Sequence, residues 1–355
     1  MAFADPALAT ILKSLPGDAA GLMRFLADQD LLALTIPTGF GGRGSPLADG
    51  VSLTYDLARR SGSAGLTYAM HLAQLHSWAA HVKGSPYLAE ELRHLIASRR
   101  LVASVVSEPD TGGNIHRATA VMGQTVVTKE TSNTSYVPDA GAFLVTAMDT
   151  SGPKPVQRLV MVRADATDAV EKRRNPLMGF KDIDNRAWSF TFRYPPEAVF
   201  ADPFATIAST TMTAATHLLW AGLWSGLAAR ALDTAARFAK AELPPEIAGT
   251  VQTQLSTLRN QHYFLNALIR DNLRPAGSPF AAAAAINRLK ITGSEAARDI
   301  ALTCMQIIGL RAYAETGPYS LSEVVRDAIS GPLMVANARL QANTAGIDRF
   351  SEERP

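Results

Sequence analysis

A chain of 355 residues, 47% hydrophobic and 19% charged with a mean hydropathy of +0.04, can bury a large core and build two or three domains. Its 34 Lys and Arg nearly balance 32 Asp and Glu, and the net charge of +2 comes without a basic run, which argues against a nucleic-acid partner. Cys304 is the only cysteine, which excludes an internal disulfide and a cysteine-based metal site and suits a reducing cytoplasm.

Residues 1 to 100 read as helices. The N-terminus has no basic segment followed by an apolar one, so no signal peptide is expected. Leu22–Asp30, Leu47–Arg60, Ala64–Val82 and Tyr87–Ser98 have helical spacing, and an Ile36-Pro37-Thr38-Gly39-Phe40-Gly41-Gly42 turn follows the first. Residues 101 to 205 read as strands. Val102–Val106, Thr125–Thr128, Phe143–Thr146, Leu159–Val162 and Trp188–Arg193 are short, β-branched or aromatic, and separated by turn residues. The first ends in Ser107-Glu108-Pro109 and a Gly-rich turn, a polar edge suited to a ligand. Residues 206 to 355 return to helices: Thr211–Ala239, Ile247–Leu273, Pro279–Ile308 and Ser322–Ala345. The apolar stretch Ala208–Leu227 is interrupted by Thr, Ser and His, and reads as a buried helix rather than a membrane span. Cys304 lies in an apolar helical run and is expected to be buried and inert.

Several segments, in collinear order, resemble the acyl-CoA dehydrogenase superfamily. Leu31 to Gly44 is similar to its "G-L-x-x-x-x-I-P-x-x-Y-G-G-x-G" segment, and Ser107-Glu108-Pro109 to its "T-E-P". Lys129 to Ala147 resembles "G-x-K-x-W-I-T-N" and the strand after it, Gln306 to Tyr313 resembles "Q-x-x-G-G-x-G-Y", and Arg326-Asp327-Ala328 matches "R-D-A". The resemblance implies a mostly helical fold with a central β-domain: an N-terminal helical domain (1–100), a middle β-barrel or sandwich (101–205) and a C-terminal four-helix bundle (206–355). It implies FAD between the β-domain and the bundle, a CoA-thioester substrate, and a homo-oligomer, dimer or tetramer, formed through the bundle. The cofactor would meet Val105, Ser107, Asn133 (at the family's Trp), Ser135 (at its Thr), Gln306 and Gly309. Substrate would meet Gly113 and Asn337.

The chemistry departs from this pattern. The family's dehydrogenases need a carboxylate to take the proton α to the thioester carbonyl. One usual position, nine residues after Arg326, is Val335. The other, on the first bundle helix, is Thr216, and no carboxylate lies between Phe204 and Leu232. The family's "R-x-x-F-G" segment is replaced by Lys240-Ala241-Glu242-Leu243-Pro244-Pro245, its "G-G-x-G" by Gly309-Leu310-Arg311-Ala312, and the Ser of "G-S-D" by Gly113. His71 and His217 are the candidate replacement bases, with His76 behind them, since imidazole titrates near neutrality. Glu108 is expected to be structural; Lys129, Arg186 and Arg311 could bind anionic groups. Three functions follow from the resemblance: an FAD-dependent oxidoreductase of an unusual, conjugated or ring-containing acyl thioester; a flavin-dependent monooxygenase on the same scaffold; or a non-catalytic subunit of a heteromeric dehydrogenase.

Overall fold

A computed structural model of the chain describes residues 6–11, 15–82, 84–109, 111, 114–274 and 279–352. Its first elements are α1 (Pro6–Ile11), α2 (Ala19–Asp28), α3 (Leu47–Ala58), α4 (Gly62–His81) and α5 (Pro86–Ser98). Side-chain oxygens satisfy their first amides: Asp18 accepts from Gly21 N–H at 2.7 Å before α2, Ser61 from Ala64 before α4, and Ser85 from Leu88 before α5. Pro86 opens α5, where no amide donor is needed.

The strands are β1 (Leu101–Val105), β2 (Val126–Ser135), β3 (Ala140–Asp149), β4 (Val156–Arg163), β5 (Thr167–Arg174) and β6 (Asn185–Arg193). They form two three-stranded sheets, β1-β3-β4 and β2-β6-β5, in which only β1 and β3 pair in parallel. The sheets meet through Phe143 of β3, whose ring centroid is 5.7 Å from those of both Phe190 and Phe192 on β6. The central β layer is therefore a sandwich without a closed barrel. β5 lies outside the sequence expectation because it is exposed almost throughout and so carries no apolar alternation.

The C-terminal region consists of α6 (Phe204–Ile207), a π-helical turn (Ala208–Met212), α7 (Thr213–Glu242), α8 (Pro245–Asn272), α9 (Pro279–Ile308), α10 (Leu310–Tyr313), α11 (Ser322–Ser330) and α12 (Asn337–Glu352). The single helix expected over Ser322–Ala345 is two helices. Gly331-Pro332 ends α11, because proline has no amide hydrogen and clashes with the preceding turn. The chain then turns through residues 331–336, with Val335 in the left-handed region at φ +50. α7 is the axis of the molecule and packs against α3, α4, α8, α9 and α11. α3 lies so close to it that a Cβ at Gly222 would stand 2.6 Å from the Val51 carbonyl oxygen, and one at Gly226 2.4 Å from that of Tyr55. No helix among the described residues is long and apolar enough to cross a membrane.

Candidate active site

The polar turn after β1 is held by a buried ion pair. Glu108 Oε1 lies 2.8 Å from Lys129 Nζ, and the two side chains are 2% and 0% exposed. Glu108 Oε2 accepts from the Thr119 hydroxyl and, at 2.6 Å, from its amide; Lys129 Nζ also donates to the Thr146 carbonyl and hydroxyl. Burial opposes ionisation of Glu108, but the Lys129 and Thr119 hydrogen bonds and the lysine charge outweigh it and keep the carboxyl below its ordinary range. Glu108 is thus the anchor of the turn, and Lys129, one candidate anion binder, is consumed by it.

The anchored turn presents Ser107. Its Oγ donates to the Asn133 carbonyl at 3.1 Å, joining the end of β1 to β2. There the register of β2 on β6 shifts between Thr131 and Thr134, so Ser132 and Asn133 bulge out of the ladder, a device that re-aims side chains beside active sites. Asn175 Nδ2 donates to the Ser132 carbonyl at 2.7 Å from the far side of the bulge. Ser135 returns to the ladder, and its hydroxyl donates to Asn185 Oδ1 at 2.6 Å. Val105 is fully buried against Val145 in the core, which leaves its backbone alone to meet a ligand. Gly113 lies outside the described residues.

The two usual base positions are half-buried and carry no ionisable group: Thr216 on α7 and Val335 in the turn between α11 and α12. His217, next to Thr216, is 2% exposed, and its Nδ1 has no hydrogen-bond partner. Burial and the Lys290 charge drive its pKa down to about 3, with the Ile286 backbone opposing, so the ring is neutral. His71 is 1% exposed and accepts the Val102 amide on Nδ1 at 3.0 Å, fixing α4 to the start of β1. Burial takes its pKa to about 3 as well, with the Leu32 backbone opposing. The two histidines thus sit on different elements, each neutral. His76 is half-buried and also shifted down by burial. Asn337 spends its amide inside the bundle: Oδ1 accepts from Lys290 Nζ at 2.6 Å, and Nδ2 donates to Ser294 and Glu295. That saturation leaves it no polar atom for a substrate.

Gln306 and Gly309 are exposed at the opposite end of the bundle. Arg311 pairs there with Glu242, the last residue of α7, at 2.7 Å. The turn after Ser107 reaches instead toward the start of the bundle, where the His116 and Phe204 rings stand 6.1 Å apart. The 30 residues of α7, about 45 Å long, run from the His116–Phe204 end of the bundle to the Arg311–Glu242 end. Tyr136 and Asp184, next to Ser135 and Asn185, line one cleft with Arg230 of α7 and Glu315, so the Ser135 end of the platform faces the later half of α7. Arg186, the remaining candidate anion binder, pairs with Glu171 and Asp184.

Sequence reasoning missed two further features. A cleft of about 940 Å³ lies where α4, the Lys181–Asp184 turn and α11 meet, lined by Ser63, Thr67, Tyr136, Lys181, Arg230 and Asp327. Asp327 Oδ1 accepts the Phe180 amide across it at 2.6 Å, while Oδ2 is buried without a partner. The second feature is Lys290, fully buried on α9; a lysine four residues after Ile286 on an apolar helical stripe was its only signal.

No protein-family model matches the chain, and no curated protein sequence does. Solved structures do. Butyryl-CoA dehydrogenase from Megasphaera elsdenii superposes with a TM-score of 0.80 at 16% identity, over 98% of this chain and 99% of that one. A complex of the dibenzothiophene monooxygenase TdsC from Paenibacillus sp. A11-2 with FMN and indole gives 0.78 at 18% identity, over 95% and 93%. A nitrososynthase from Micromonospora carbonacea var. africana gives 0.79 at 17%, over 97% of each chain. The chain thus has an acyl-CoA dehydrogenase-like fold, shared with these structures along essentially its whole length.

Proposed function

We propose that this protein is a flavin-dependent oxidoreductase whose substrate needs no carboxylate base. The observation that carries the reading is the pairing of an intact strand-end platform with the absence of an ionisable side chain at both base positions, Val335 and Thr216. The platform fits an isoalloxazine edge: Ser107, Asn133 and the bulge supply hydroxyl and backbone groups at the end of a buried sandwich, and the Glu108–Lys129 pair holds them rigid. A bound flavin supplies the two-electron redox chemistry. This chain's residues position it, exclude water and leave the nearby bundle wall without a proton acceptor of ordinary strength.

The first form of the reading is oxidation of an acyl thioester acidic enough to lose its α-proton unaided, such as a conjugated or ring-containing one. The second is a monooxygenase, favoured by the likeness to TdsC and the nitrososynthase, since oxygen chemistry at a flavin does not require that base. A non-catalytic subunit is the alternative to this reading. The cofactor is FAD if a second copy completes the site. The exposed Gln306–Gly309 turn, with Leu310 86% and Tyr313 73% exposed beside it, is then the surface that reaches a neighbour's pyrophosphate. A monomer has only the strand ends, which suffice for FMN.

One experiment separates these forms. The absorbance spectrum of purified protein, with chromatography of the released flavin, reads the cofactor. Anaerobic titration with straight-chain and conjugated acyl-CoAs, then chemical reduction and oxygen addition, reads the reaction. A colourless protein that takes up neither FAD nor FMN at micromolar concentration overturns the enzymatic reading and leaves the subunit.

A further inference from the structure

Lys290 is the least expected side chain in the bundle. It is fully buried, and no carboxylate pairs with it among the described ion pairs. Its ammonium donates to the Gly331 carbonyl at 3.0 Å and to Asn337 Oδ1 at 2.6 Å, and stands 5.6 Å from the Trp224 ring centroid. Gly331 and Asn337 are the two ends of the segment that joins α11 to α12 and carries Val335 in its left-handed conformation. Other bonds shape this segment: Met334 donates to the Ser330 carbonyl and Asn337 to that of Pro332. These are local. Ser294 and Glu295 of α9 also hold the Asn337 end, but among the described bonds the ammonium is the group that ties both ends to that helix.

A buried ammonium without a carboxylate is costly, and an apolar side chain of the same length usually serves stability as well or better. Packing therefore does not explain Lys290. The charged groups around it are Glu295 on α9, one bond away through Asn337, and Arg339 on α12; His217 on α7 is neutral. Of these, Glu295 touches the 331–337 segment at its Asn337 end, while Lys290 bonds the Gly331 end as well.

We infer that Lys290 is the positioning residue of the 331–337 segment, the clamp that fixes where the polypeptide around Val335 meets the reaction site. The inference stands on the hydrogen bonds. Only its link to the reaction rests on the proposed flavin site.

The test uses the full-length protein and Lys290→Met, read by hydrogen exchange and thermal unfolding without added ligand. The expected result is exchange at least tenfold faster at residues 331–337, unchanged exchange in the middle of α7 and α9, and an unfolding midpoint equal to or above that of the unmodified protein. Unchanged exchange at 331–337, or acceleration spread evenly over the bundle, overturns the inference. Asn337→Ala removes one anchor of the ammonium, together with the bonds to Ser294 and Glu295, and should loosen 333–337 while leaving Gly331 protected; equal loosening at both ends, or none, counts against the clamp. A second arm adds FAD. Lys290→Met should bind it with unchanged Kd, because Ser107 and Asn133 are intact, but the bound-flavin absorbance band should move toward that of free flavin. An identical bound spectrum overturns the link between the clamp and the reaction site. If the unmodified protein binds no flavin, the proposed function falls while the exchange experiment still decides the clamp.

Discussion

Glu108 and Lys129 meet out of water, and each justifies the other's burial. Removing one partner of such a pair strands a charge, a loss of about 3–5 kcal/mol. Lys129→Met should therefore lower stability by that order in denaturant titration and free the Ser107 turn. Glu108→Gln, which keeps a hydrogen-bond acceptor for Thr119, should cost less. Equal stability of Lys129→Met and the unmodified protein would show that the turn does not depend on the pair. Val335 shows the opposite economy. A β-branched residue at φ +50 is strained, by roughly 1–2 kcal/mol, so Val335→Gly should leave stability unchanged or improve it. Cys304 is buried as expected, which pushes its thiol up to about 12, and it should resist alkylation until the protein unfolds.

Contacts between elements have their own pH dependence. Asp327 on α11 binds the Phe180 amide of the turn before β6, and burial raises its carboxyl to about 7 against the opposing pull of that hydrogen bond. A carboxyl whose pKa is higher folded than unfolded binds more protons in the folded state. Stability therefore falls as pH rises from about 4 to about 7 and levels off above, a total on the order of 4 kcal/mol at most. Asp327→Asn should flatten this slope, with the larger gain in melting temperature at pH 8 than at pH 5; parallel pH profiles for the two proteins would show that another group controls the contact. The close approach of α3 to α7 predicts a different failure. Alanine at Gly222 forces the helices apart, a cost of about 1–3 kcal/mol, whereas the same change at Gly249, which has open space around it, should be stabilising or neutral on a helix.

At the scale of the whole molecule, the exposure of the Gln306–Gly309 turn makes assembly and cofactor choice one question. Tyr263 and Phe264 on α8 are 63% and 67% exposed, and with Leu310 and Tyr313 they leave the bundle an apolar exterior. Sedimentation at micromolar concentration should report a dimer or larger species, and Leu310→Asp with Tyr313→Asp should shift it toward monomer while weakening FAD more than FMN. A monomeric unmodified protein that holds FAD would break this connection. The missing base makes the last prediction. Reduction of the bound flavin by butyryl-CoA should be slow, because a positioned base contributes ~10²–10⁴-fold, and Val335→Glu or Thr216→Glu should accelerate it. Rapid reduction of the unmodified protein would mean that another group takes the proton.

Pattern and chemistry that are local in the chain were legible without coordinates. Helical spacing from Leu22 to Ser98, the β-branched runs of β1, β3 and β4, and the loss of carboxylates at Val335 and Thr216 can all be read from neighbouring residues. A helix or a half-buried strand writes its own period into the sequence. β5 could not be read because a strand exposed on both faces has no period to write. The break at Gly331-Pro332 was present in the letters, yet helical spacing on either side of it masked the turn. What tertiary structure alone decided was pairing at a distance: Glu108 with Lys129, Asp327 with the Phe180 amide, Lys290 with both ends of its segment, and Asn337 saturated inside the bundle. It also decided that Gln306 and Gly309 are exposed beside the Arg311–Glu242 pair at the end of α7. Burial and charge pairing depend on which surfaces meet, and that is a property of the packed chain rather than of any segment of it.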